Sequence, residues 1–179
     1  MPAKRFSRRS KARRATRFAR GPFKAPQVSE RILQGLRSSS MFDRALAVEA
    51  LCKYGSKHEK VVTGFISDKS AYVREVALGV LFRINSKKYS GLTAAKISDP
   101  DPNVCAHAIF LSGKAKNKKA IPAIRFVALN SKADAHARSM AVVTLASVFG
   151  INDAALSKVA KKLAPKSLVD LSPHFKQSH

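Results

Sequence analysis

Residues 99–115 have the sequence DPDPNVCAHAIFLSGKA, and residues 68–84 have the sequence DKSAYVREVALGVLFRI. In both, an Asp-containing turn precedes apolar residues that recur every three or four positions, which is one face of an α-helix. Asp and Ser side chains cap helix N-termini, and Pro fits the first helical turn. Each stretch therefore predicts a turn followed by an amphipathic helix.

The same pattern occurs four times along the chain. In each copy, one position is followed three residues later by Ala, and we call it the reference position. The reference residues are Arg44, Arg74, Cys105 and Arg138, which are 30, 31 and 33 residues apart. A shorter amphipathic stretch precedes each copy, and a fifth closes the series; these are residues 28–36, 60–66, 89–97, 120–129 and 154–163. A repeated helix–turn–helix unit of this length is typical of stacked helical repeats. The predicted fold class is all-α.

Helix ends are marked by residues that tolerate the left-handed backbone conformation. Gly55, Gly113 and Gly150 follow three of the second helices, and Asn85 follows the remaining one. Gly and Asn are the usual residues at this position. We therefore expect a left-handed C-cap at each of them.

Residues 68–84 and 99–115 resemble HEAT repeats of the short, phycobilisome-lyase-like kind. These carry an Asp turn, a Val-Arg pair, Ala residues at helical spacing, then Leu and a closing Gly. The chain departs from the pattern at Cys105, which replaces Arg, and at Ser38 and Lys132, which stand where the second repeat has Asp68. The resemblance implies a right-handed HEAT-like α-solenoid of about four helix pairs over residues 27–164, acting as a binding scaffold.

Arg74 and Arg138 are expected to stabilise turns by pairing with a neighbouring Asp. Cys105 lies near a helix start, where a thiolate could be stabilised. We expect it to serve instead as a small core residue.

The formal net charge of +23 comes from 34 Lys and Arg against 11 Asp and Glu. Residues 1–26 contain ten basic residues and no acidic one, so like-charge repulsion predicts a basic disordered N-terminal arm that binds a polyanion. Its basic residues are Lys4, Arg5, Arg8, Arg9, Lys11, Arg13, Arg14, Arg17, Arg20 and Lys24. A mitochondrial transit peptide and a solvated charge run are the alternatives. No apolar h-region follows the basic stretch, which argues against a secretory signal, and residues 165–179 are expected to form a C-terminal tail.

The turns that follow the second helices are basic and should share one edge of a stacked array, which we call the basic edge. Its predicted binding residues are Lys57, Lys87, Lys88, Lys114, Lys116, Lys118 and Lys119. The opposite turns carry Asp68, Asp99 and Asp101. The last basic-edge turn, residues 150–153, contains no Lys or Arg, so the positive charge should fade there. The alternative is that these lysines only confer solubility.

The sequence contains no pattern typical of an enzyme or a cofactor site. The five His show no metal-ligand spacing with Cys, Asp or Glu, and no Gly-rich phosphate loop or nucleophile elbow occurs. The alkylated-base glycosylases built from HEAT-like repeats use a Trp- and Asp-lined cleft, whereas this chain has no Trp. We therefore expect no catalytic residue, no metal, no cofactor and no small-molecule substrate.

Together these features predict a non-enzymatic protein that binds nucleic acid through phosphate contacts. RNA is favoured over DNA, because Arg both pairs with phosphate and stacks on unpaired bases. A small body with a long basic arm suggests a cytoplasmic ribosomal or ribosome-associated protein that binds rRNA and contacts other proteins through its helices. The alternatives are a DNA-compacting protein and a protein–protein scaffold with a basic targeting tail, in mitochondria or the nucleus. No apolar run is long enough to span a bilayer, so no membrane partner is expected.

Overall fold

The computed structural model describes residues 25–54, 57 and 59–163. Within these ranges the secondary structure is helical, without strands. The helices are α1 (Ala25–Leu36), α2 (Met41–Tyr54), α3 (Glu59–Phe65), α4 (Ala71–Ile84), α5 (Ser90–Ala95), α6 (Pro102–Lys114), α7 (Ile121–Leu129), α8 (Ala135–Phe149) and α9 (Ala154–Leu163). Short 3-10 segments, Lys96–Ser98 and Lys118–Ala120, follow α5 and precede α7. The predicted all-α fold class is confirmed for this part of the chain.

The helix order follows the predicted alternation of a shorter and a longer helix. The four reference residues Arg44, Arg74, Cys105 and Arg138 are each the fourth residue of α2, α4, α6 and α8. The Ala three positions later is fully buried in every case; these residues are Ala47, Ala77, Ala108 and Ala141, each 0% exposed. A side chain this small lets neighbouring helices approach closely. The Ala three positions after each reference residue therefore marks the packed face of each second helix.

The described helices belong to two units, divided between Val61 and Val62 inside α3. In the first unit α1 packs against α2, and the buried residues include Ile32, Leu36 and Leu51. In the second unit α4 contacts α6 and α6 contacts α8, while α7 contacts both α8 and α9. Its fully buried residues include Leu78, Leu81, Ile109, Ile124, Leu145 and Leu156. At roughly 1.5–3 kcal/mol for each fully buried side chain of this size, these contacts dominate the stability of the second unit.

Two of the predicted C-caps are wrong, and one is confirmed. Gly150 adopts the left-handed conformation at φ 67° after α8. Gly113 instead lies inside α6, and the left-handed residue there is Lys116 at φ 50°. Asn85 is extended, at φ −159°, because α4 leads directly into a further turn. Gly55 lies outside the described residues.

Gly113 is required for helix packing. A Cβ atom at this position would lie 2.7 Å from Cγ2 of Thr144 on α8, and Thr144 is itself buried. At this distance the Thr144 side chain or one of the two helices must shift. A glycine that the sequence suggests as a helix terminator therefore allows α6 and α8 to approach.

Gly113→Ala should destabilise the protein by about 1–3 kcal/mol, which is the usual cost of overpacking a core. Gly91→Ala is the matched control, because Gly91 is helical and nothing lies within 4 Å of a Cβ added there. That substitution should stabilise by roughly 0.5–1 kcal/mol, since Ala loses less backbone entropy than Gly on folding. Urea unfolding followed by circular dichroism measures both. Equal effects in the two variants would contradict the assigned role of Gly113.

Candidate nucleic-acid interface

The turns between the first and second helices are closed by one repeated hydrogen bond. Ser38 Oγ, Asp68 Oδ1 and Asp99 Oδ1 each accept from the backbone N–H two residues later, at 3.1, 2.9 and 3.1 Å. Ser38 therefore replaces the Asp of the other two turns without loss of this contact. In the fourth repeat Lys132 offers no acceptor, and Asn130 Oδ1 accepts from the Lys132 N–H instead, at 3.0 Å.

The reference arginines Arg44 and Arg74 donate hydrogen bonds to backbone carbonyls of the same turns. Arg44 Nη1 donates to the carbonyls of Ser38 and Ser39, at 2.7 and 3.0 Å. Arg74 Nη1 donates to the carbonyls of Asp68 and Lys69, at 2.9 and 3.3 Å. The two arginines thus bind carbonyls six and five residues earlier in the chain, in turns 30 residues apart.

Arg74 also joins two successive repeats. Its Nε and Nη2 donate to both carboxylate oxygens of Asp99, at 3.0 and 2.7 Å. The Asp99 side chain is only 2% exposed. Burial opposes its ionisation, but the hydrogen bonds from Arg74, the Asp101 N–H and Lys96 outweigh burial and hold the pKa of Asp99 below its ordinary value. The hydrogen bond to Asp99 correspondingly raises the pKa of Arg74. The expected pairing of Arg74 with a neighbouring Asp is confirmed.

The next repeat has no equivalent of the Arg74–Asp99 pair. In the same register Cys105 corresponds to Arg74 and Lys132 corresponds to Asp99. Cys105 is buried and its Sγ donates to the Ile97 carbonyl at 3.0 Å, while burial raises the pKa of the thiol to about 11. It is a core residue, as expected, and the thiolate is disfavoured. The expected Arg138–Asp pairing is wrong: Arg138 is buried and donates its Nε to the Ala128 carbonyl at 3.3 Å.

Two turns at the other ends of the helices bring lysines together in the second unit. The α4–α5 turn (residues 85–89) carries Lys87 and Lys88, and the α6–α7 turn (residues 115–120) carries Lys116, Lys118 and Lys119. Lys114 is the last residue of α6 and directly precedes the second turn. Neither turn contains an Asp or a Glu. We call residues 85–89 and 114–120 the two basic turns.

The Asn117 side chain connects the α6–α7 turn to the start of α5, which directly follows the α4–α5 turn. Asn117 Nδ2 donates to the carbonyl of Ser90, the first residue of α5, at 3.0 Å. Its Oδ1 accepts from the Lys119 N–H at 3.2 Å, and so the same residue shapes its own turn. In the other turn Asn85 Oδ1 accepts from the Lys88 N–H at 2.9 Å, and Ser90 Oγ donates to the Lys87 carbonyl at 2.8 Å. Both backbones are therefore held by hydrogen bonds, and the Asn117–Ser90 contact makes the two turns neighbours.

The lysines of the two basic turns are exposed. Within the described ranges Lys87, Lys116, Lys118 and Lys119 form no ion pair with a carboxylate. Lys88 Nζ lies 5.3 Å from the centre of the Tyr89 ring, and Lys114 Nζ lies 5.7 Å from that of Phe110. Lys116 holds its left-handed conformation although this costs an L-residue about 1–2 kcal/mol. Backbone N–H groups of Lys116 and Asn117 close the end of α6 by donating to Gly113 and Ser112 carbonyls, at 2.8 and 3.0 Å.

The positive charge ends at the corresponding turn after α8. That turn holds Asp153, which caps α9 through the Leu156 N–H at 3.0 Å and pairs with Arg125 at 2.5 Å. The Leu156 hydrogen bond, followed by that from Arg125, holds the pKa of Asp153 below its ordinary value. The turn after α8 therefore holds a carboxylate that is paired with Arg125, and it contributes no lysine to the positive charge.

The other predicted binding residues fall elsewhere. Lys57 is exposed and belongs to the first unit. All ten basic residues of the predicted arm lie outside the described residues. Sequence reasoning identified the basic turns but missed Asn117, which bonds to Ser90 across the two segments and to Lys119 within its own turn. An Asn in the middle of a Lys run was the available signal.

No protein-family model, curated protein or solved structure matches the chain. Over the ranges that the structure covers, no group of His, Cys, Asp and Glu could hold a metal ion. None of the described helices combines the length and apolar character needed to cross a membrane.

Proposed function

We propose that this chain is a non-enzymatic RNA-binding protein of the ribosomal or ribosome-associated kind, built as a HEAT-like α-solenoid with a basic N-terminal arm. The observation that carries the proposal is the pair of basic turns joined by the Asn117–Ser90 hydrogen bond. This surface presents six lysines from two successive repeats and no acidic residue. Lysines in this arrangement neutralise phosphates and release counterions, which gives affinity without base specificity.

The solenoid part of the proposal rests on the repeated turn chemistry. The equivalent hydrogen bonds of Ser38, Asp68 and Asp99, and of Arg44 and Arg74, recur at the repeat spacing of the sequence. The Arg74–Asp99 pair links one repeat to the next. Such nearest-neighbour contacts stabilise stacked repeats. They favour a scaffold that displays a continuous surface over one that encloses an active site.

The experiment is gradient sedimentation of a native lysate, with parallel samples treated with RNase or DNase. We expect the protein to migrate with ribosomal particles, to be released by RNase but not by DNase, and to be released by high salt. Deletion of residues 1–24 should weaken the association while the remaining chain stays folded by circular dichroism.

Each other outcome identifies a different function. Release by DNase alone would indicate a DNA-compacting protein. Slow migration that neither nuclease alters would contradict nucleic-acid binding and favour a protein–protein scaffold.

A further inference from the structure

A groove of about 220 Å³ opens on the second unit between α4, α6 and α8. We call it the α6 groove; its lining includes Glu75, Asn103, His107, Phe110, His136 and Met140. Phe110 is 46% exposed, which is a large apolar ring left in contact with water. The groove thus combines one exposed aromatic face with several polar groups at its borders, as small-ligand sites do.

The α6 groove is continuous with the basic turns. His107, Phe110 and Lys114 follow one another along the same face of α6. The His107 and Phe110 ring centres are 6.4 Å apart, and Lys114 Nζ lies 5.7 Å from the Phe110 ring. The four-residue step from Phe110 to Lys114 advances about 6 Å along the helix axis. This separation is comparable with that between a base and the phosphate of its own nucleotide.

The position of His107 is fixed by α4. A Cβ atom at Gly79 would lie 3.1 Å from Cε1 of His107, so the absent side chain makes room for the imidazole. His107 Nδ1 lies 3.7 Å from Oε1 of Glu75 and has no hydrogen-bond partner among the described residues. Burial, only partly offset by Glu75, lowers the pKa of His107. The imidazole is therefore neutral at pH 7 and leaves the Glu75 carboxylate free to accept hydrogen bonds.

We infer that the α6 groove receives one unpaired base of the RNA whose phosphates lie on the basic turns; this inference rests on the proposed function. A base stacks on Phe110, as bases do on exposed aromatic side chains of RNA-binding proteins. Its phosphate lies within reach of Lys114. The Glu75 carboxylate accepts from an exocyclic amino group, which favours cytosine, adenine or guanine over uracil.

The size and charge of the groove favour a base over a peptide. Its volume is below the roughly 300–1,000 Å³ of sites for drug-sized molecules and suits a single planar group. A docked peptide helix needs several apolar anchors at helical spacing. Here Phe110 and Met140 are the large apolar residues of the lining. The adjoining lysines also supply the charge that an RNA backbone requires.

The test compares two RNA duplexes of similar length without hairpin loops, one fully paired and one with a three-nucleotide bulge, at about 100 mM salt. The full chain should bind the bulged RNA about 5–150-fold more tightly, the range that one stacked base provides. Phe110→Ala should remove this preference, so that the variant binds the two duplexes with equal affinity. Phe126→Ala is the matched control, because Phe126 is 71% exposed on α7 and does not line the groove.

The outcomes separate the inference from the proposed function. Equal binding of both duplexes by the unsubstituted chain, or a bulge preference that survives Phe110→Ala, would overturn the inference while preserving phosphate-based RNA binding. Binding of neither duplex would overturn both. A photoreactive residue at position 140 that crosslinks to RNA in a lysate would support the inference, and one that crosslinks only to polypeptide would overturn it.

Discussion

Replacing Arg74 with methionine should lower the free energy of unfolding by about 3 kcal/mol, the lower end of the range for breaking a buried ion pair. The substitution leaves the Asp99 carboxylate, 2% exposed, without its two hydrogen bonds from the guanidinium. It also removes the hydrogen bonds that Arg74 donates to the Asp68 and Lys69 carbonyls. The loss stays at the lower end because Lys96 and the Asp101 N–H still partner Asp99.

Arg125→Met provides the matched comparison. Arg125 also pairs with an Asp, but its side chain is 37% exposed and that of Asp153 is 41% exposed. An exposed pair contributes about 0–1 kcal/mol, because water and salt screen it. Urea unfolding at pH 7 followed by circular dichroism measures both variants. If Arg74→Met lowered the free energy of unfolding no more than Arg125→Met does, the Arg74–Asp99 pair would not stabilise these turns.

The effect of Arg74→Met should depend on pH in a defined direction. The folded-state pKa of Asp99 lies below the ordinary value of 3.8. Its stabilising contribution is therefore present above about pH 4 and is lost as the pH falls through the folded-state value. The difference in stability between the unsubstituted chain and Arg74→Met should accordingly narrow at pH 3. An unchanged difference would assign the effect to packing of the arginine stem instead.

The helical elements were predictable because four imperfect copies of one pattern constrain each other. The Arg-x-x-Ala spacing placed each reference residue at the fourth position of its helix, and the following Ala is buried every time. Local chemistry was sufficient for this, since amphipathic spacing and turn residues act within a few positions. It was also sufficient to identify which turns carry lysine.

Contacts between repeats were not predictable in the same way. Asp99 and Asn117 each resemble local turn residues, but their main partners, Arg74 and Ser90, are 25 and 27 residues away. Gly113 satisfies two sequence rules, close helix approach and helix termination, and only the distance to Thr144 decides between them. The α6 groove depends on three helices at once, so neither Phe110 nor Met140 indicated it. What could not be predicted is therefore the stacking of one repeat on another.

Removing four of the six lysine charges of the two basic turns should produce the largest effect on binding. The variant Lys87→Gln, Lys116→Gln, Lys118→Gln, Lys119→Gln removes four exposed charges that have no ion-pair partner in the described ranges. If each lysine contacts one phosphate, the slope of log affinity against log salt should become shallower by about 3, and affinity at 100 mM salt should fall roughly 10²–10³-fold. Titration of a labelled hairpin RNA at several salt concentrations measures both quantities.

The control variant removes the same charge from elsewhere in the second unit. Lys69→Gln, Lys132→Gln, Lys158→Gln, Lys162→Gln changes four lysines that are equally exposed but lie in the opposite turns or on α9. Long-range attraction depends on net charge and should weaken similarly in both variants, whereas direct phosphate contact depends on position. The salt slope should therefore stay near its original value in the control. Equal slopes in the two variants would mean that RNA responds to the overall charge of +23, and the basic turns would then not be the interface.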